Sequence, residues 1–61
     1  MDGYVTRFHR LDGKPREDYY YHTKEEALNH LNLFRNDDSG LYRSIEVIDL
    51  ENGARQTVLY P

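Results

Sequence analysis

The sequence predicts an α+β fold in two layers, with one amphipathic helix (about 24–36) on a small antiparallel sheet of three or four strands. Three observations predict it. "YVTRFHRL" alternates as a half-buried strand does, "TKEEALNHLNLF" joins a capping signal to apolar residues at helical spacing, and "IEVIDLENGARQTVLY" is two β-rich runs around a turn dipeptide.

In the first run Tyr4, Thr6 and Phe8 fall on one face, with Val5, Arg7, His9 and Leu11 on the other. "DGKPRED" ends it, because Asp12-Gly13 is a turn pair and Pro15 has no N–H for a ladder. "YYYH" then resumes extended character. Neighbours on a strand point to opposite faces, so Tyr19 and Tyr21 go one way while Tyr20 and His22 go the other. One pair should cover the core beside the helix entrance, and the other should face solvent or a partner.

Thr23-Lys-Glu-Glu26 is a capping box, so the helix should begin at Lys24. Ala27, Leu28, Leu31 and Phe34 make its apolar stripe, and "NDDSG" should end it. In the tail, Asn52-Gly53 suits a two-residue type I′ turn, which would set Leu50 opposite Arg55, Ile48 opposite Thr57 and Ile45 opposite Tyr60. One hairpin face then carries Ile45, Val47, Val58 and Tyr60 and lies against the helix. The other carries Tyr42, Ser44, Glu46, Ile48, Leu50, Arg55, Thr57 and Leu59, and nothing covers it unless the Asp12–Asp18 loop or the Tyr19–His22 segment folds over. Pro61 follows the last strand.

Sixty-one residues without a repeat or linker make a single domain, 1–61. A chain of this size buries only about 60% of its unfolded surface. With no cysteine, disulfides and thiolate metal sites are out of reach, and self-association becomes the expected supplement. The lack of cysteine fits a cytoplasmic setting, and neither a signal-peptide order nor a membrane-length apolar run is present. The net charge of -3 is uneven: residues 1–24 hold five Lys/Arg against four acids, and residues 25–61 hold three against seven.

Motifs of catalysis and metal binding are missing. His9, His22 and His30 have no ligand spacing; His9 and His22 could converge with Asp18 only if the first two extended segments pair suitably. Counting twelve positions from Asp37 puts Ile48 where a calcium loop needs a bidentate Glu. "LDGKP" lacks the other elements of a phosphate loop, and Ser39 and Ser44 sit in no nucleophile motif. The expectation is therefore a protein that is not an enzyme, with no cofactor and no metal.

Two binding readings follow. The first is protein–protein interaction, most simply a homodimer formed through the outer sheet face or an edge strand, with Tyr42, Ile48, Leu50 and Leu59 as contacts and Arg55 at the rim. Another protein could fill the same role. The alternative is a weak binder of single-stranded nucleic acid or an anionic ligand, using Arg7, His9, Arg10, Tyr20 and His22, against which the acidic balance argues. Mimicry of nucleic acid would need a denser run of carboxylates. The layout of strand, capped helix and terminal hairpin resembles that of small bacterial accessory proteins, without a motif from which residue roles transfer.

Overall fold

The computed structural model describes residues 2–60; Met1 and Pro61, and with it the placement of a proline after the last strand, lie outside the described residues. The elements are β1 (Tyr4–Arg10), β2 (Glu17–Tyr21), α1 (Lys24–Leu33), β3 (Tyr42–Asp49) and β4 (Arg55–Leu59). The expected α+β architecture is present. The sheet has four strands in the order β2-β1-β3-β4, every neighbouring pair antiparallel, with α1 across one face.

The helix starts where its sequence says it should. The Thr23 hydroxyl accepts from the Glu26 N–H at 3.2 Å, and the Thr23 N–H donates to the Glu26 carboxylate at 3.2 Å. It ends at Leu33, earlier than expected, because Phe34 and Arg35 donate three residues back, to Leu31 and Asn32, and tighten the last turn. The Tyr60 hydroxyl donates to the carbonyl of Phe34, tying the end of the chain to the helix exit.

Phe8, Ala27, Leu31, Ile45 and Val47 form the core between helix and sheet, flanked by Tyr4, Tyr21, Leu28, Phe34, Tyr42, Val58 and Tyr60. Burying each large member contributes about 1.5–3 kcal/mol. Thr6 is also fully buried and donates to the Ala27 carbonyl at 2.9 Å. Alanine at that helix position lets β1 come close enough for the bond.

Two details depart from the sequence reading. The β3–β4 hairpin pairs Ile45 with Val58 and Ile48 with Arg55, two residues from the expected register, and its loop spans 50–54. Asn52 has no positive φ, so the type I′ turn does not form; only Gly53 occupies the left-handed region. The loop is held instead by Asp49, whose carboxylate accepts from the Glu51 N–H at 2.9 Å, and by Leu50, whose N–H donates to the Gly3 carbonyl at 3.0 Å. A shift of two keeps the residues still paired in the hairpin on their expected faces, but Leu50, expected opposite Arg55, leaves the strand for the loop.

The second departure does change a face. Between His9 and Arg10 the β1–β3 register slips, so Ser44 opposes His9 but Tyr42 opposes Arg10, leaving Arg43 as a bulge. Tyr42, expected on the outer face, therefore turns to the helix side, its ring 5.4 Å from that of Phe8 and 5.9 Å from that of Phe34. Burial of the ring raises the Tyr42 pKa.

Candidate interaction surface

Strand alternation brings one residue set to the sheet face opposite the helix: Tyr20 and Asp18 from β2, Val5, Arg7 and His9 from β1, Ser44, Glu46 and Ile48 from β3, and Arg55, Thr57 and Leu59 from β4. Charge alternates across its middle. The Arg7 Nε and Nη2 donate to the two oxygens of Asp18 at 2.9 and 3.2 Å, and the hydrogen bonding holds the Asp18 carboxyl below the ordinary range. On the other side of Arg7, Glu46 receives Arg55 Nη1 at 2.7 Å and lies 2.5 Å from His9 Nε2. Glu46 is only 7% exposed, and no buried side-chain polar atom of the described residues lacks a partner. A buried carboxylate on an otherwise open face is tolerable only with such partners.

This charged row divides the apolar residues. Val5 and Ile48 oppose each other on the side of Tyr20 and the β3–β4 loop, and both are nearly covered, at 0% and 6% exposed. Leu59 lies on the far side, on the outermost strand, and is 76% exposed. Of the five residues expected as contacts, Ile48, Arg55 and Leu59 thus share the open face, Leu50 sits in the hairpin loop just past it, and Tyr42 is on the other side of the sheet.

The residues of the anionic-ligand reading are dispersed. Arg7, His9 and Tyr20 reach the open face, with Tyr20 65% exposed. Arg10 is clamped at the opposite end by Asp12, at 3.0 and 2.5 Å, and by Glu17 at 3.2 Å, and it lies over the Tyr42 ring. The same hydrogen bonding lowers the Asp12 pKa to about 2. His22 follows Tyr21, which pairs with Tyr4, whereas His9 lies beyond the Phe8–Glu17 pair at the other end of the ladder. The two histidines do not converge, and Asp18 is engaged with Arg7. Among the described residues no three His, Asp or Glu side chains are gathered as a metal site would require.

The triple tyrosine divides as the alternation requires. Tyr19 packs edge-on against Phe8 at 5.5 Å, and the Tyr21 hydroxyl is 2.8 Å from His30 Nδ1, so this pair covers the core. Tyr20 is the most exposed of the three at 65%, although Tyr19 also keeps 42% of its surface in solvent. His30, outside the candidate residues named from the sequence, has its ring among Phe8, Tyr19, Tyr21 and Phe34, and burial lowers its pKa. Its position one turn from Ala27 and Phe34 was the available signal.

The two sheet edges differ. β2 carries Glu17 and Asp18, follows Arg16 and Pro15, and packs against the helix, all of which blunt an edge. β4, "RQTVL", is exposed at every residue except Val58 and carries one charge, Arg55, which is turned to Glu46. These features define the class: a small α+β fold with an open sheet face of paired charges and one unblunted edge strand. Compared with known proteins, the chain matches no family model, no curated protein and no solved structure. Among the described residues no helix is long and apolar enough to cross a membrane.

Proposed function

We propose that the protein is a non-enzymatic protein–protein interaction module that self-associates through its sheet. The observation that carries this reading is the β4 rim, where an edge strand exposed over nearly its whole length carries a leucine with 76% of its surface in solvent. The small core gives the chain something to gain, because burying more surface in a second copy supplements a marginal fold. The absence of cysteine supports a cytoplasmic setting.

The anionic-ligand reading draws less support, since a phosphate would have to displace Asp18 from Arg7 and both Asp12 and Glu17 from Arg10. Light scattering over a range of concentrations tests the self-association. A mass that rises with concentration is expected, and Leu59→Asp should lower it without loss of far-UV circular dichroism. The mass of one chain at every concentration would end the reading.

A further inference from the structure

β4 uses its backbone on one side only. The Tyr60 N–H donates to the Arg43 carbonyl and the Ala54 carbonyl accepts from the Asp49 N–H, so the even-numbered residues of this segment turn their polar backbone groups to β3. The odd-numbered ones, Arg55, Thr57 and Leu59, must therefore point N–H and C=O outward, away from the sheet.

We infer that a second copy of this chain pairs with that edge, antiparallel and two-fold about Thr57, joining two four-stranded sheets into one continuous sheet. The inference rests on the self-association reading and specifies its surface. In this register Thr57 meets Thr57 of the other copy and Arg55 meets Leu59, both as hydrogen-bonded pairs, so every outward group of the strand finds a complement. Shifting the register by two residues either way leaves outward groups of the strand unpaired. Centring on Arg55 would set two guanidinium groups opposite each other, which is unfavourable. The Thr57-centred pairing instead lays the Arg55 stem beside the exposed Leu59 of the other copy, with the guanidinium kept on Glu46. Self-complementarity is what a two-fold interface needs, and β4 has it in sequence, in charge and in hydrogen-bonding phase.

The test uses substitutions that act on the outward side of the strand alone. Thr57→Pro removes an outward N–H and leaves the ladder to β3 intact, so the fold should survive while the dimer dissociation constant rises tenfold or more. A Thr57→Cys variant is read independently of proline's effect on folding. Directly opposed residues of a hydrogen-bonded pair have Cα atoms about 5.5 Å apart, within disulfide range. The chain has no other cysteine, so oxidation of Thr57→Cys should give a covalent dimer, while Tyr20→Cys, exposed on β2, should not. A dimer that survives Thr57→Pro, or that crosslinks through Tyr20→Cys rather than Thr57→Cys, overturns the edge pairing and leaves self-association standing. A single-chain mass for the unmodified protein at every concentration removes both.

Discussion

His30 and Gly3 are each fixed by a contact from a distant part of the chain. The neutral His30 ring can accept the Tyr21 hydroxyl proton at Nδ1, across 2.8 Å, among aromatic neighbours. Burial lowers its pKa below the ordinary 6.5, so as pH falls through 6.5 the unfolded chain binds the proton before the folded one does. This contribution to stability is complete above that value and is lost as pH falls below it. Urea unfolding at pH 7 and pH 5.5 should show the loss, and His30→Phe should reduce it. An NMR titration midpoint for His30 above 6.5 would contradict the argument. Gly3 has φ of +109°, and a Cβ there would sit 2.9 Å from the Tyr21 carbonyl oxygen. Gly3→Ala should therefore cost about 1–3 kcal/mol in urea unfolding. It should also loosen the hairpin loop, because the Gly3 carbonyl accepts from Leu50. Faster hydrogen exchange at the Leu50 amide is the readout. At Gly13, where nothing lies within 4 Å of a Cβ, the same substitution meets only the backbone penalty of its φ of +79° and should cost less.

At the scale of elements, the helix was legible because its signal is local: Thr23 and Glu26 are three residues apart and bond to each other. Thr23→Ala should lower stability by about 1 kcal/mol, measured by chemical denaturation, and Glu26→Ala should have a smaller effect since it leaves the hydroxyl acceptor in place. Strand faces were legible too, from alternation, which correctly separated Tyr20 from Tyr19 and Tyr21. What the sequence hid depends on partners far along the chain. Asn52-Gly53 favours a two-residue turn in isolation, but Gly3 captures the Leu50 N–H and Asp49 captures that of Glu51, so the loop widens and the register moves by two. The bulge at Arg43 is hidden for a similar reason. It allows Tyr42 to pack against Phe8 and Phe34, a gain that alternation within β3 alone could not reveal. The candidate surface was accordingly read with its strands correct and one residue, Tyr42, on the wrong side. The central row of charges was visible as Arg7, Asp18, Glu46 and Arg55, but its pairing needed the strand order β2-β1-β3-β4.

For the molecule as a whole, two readings of the surface respond oppositely to salt. The chain carries a net charge of -3, so two copies approach each other against a weak mutual repulsion. The pairs that would meet along β4 are backbone groups, threonines, and Arg55 against Leu59, none of them an ion pair between copies. Added salt screens the repulsion and removes no attraction, so the self-associated fraction should hold or rise between about 50 mM and 500 mM. A phosphate-binding surface would behave in the reverse way, because binding that releases counterions weakens steeply over that range. Association also feeds into stability, since a partner that binds only the folded chain raises its unfolding free energy by mass action. Melting temperature should therefore climb with protein concentration, and the climb should be absent in Thr57→Pro. A melting temperature independent of concentration over two decades would contradict the coupling. If the climb persists in the proline variant, the added stability comes from a surface other than β4.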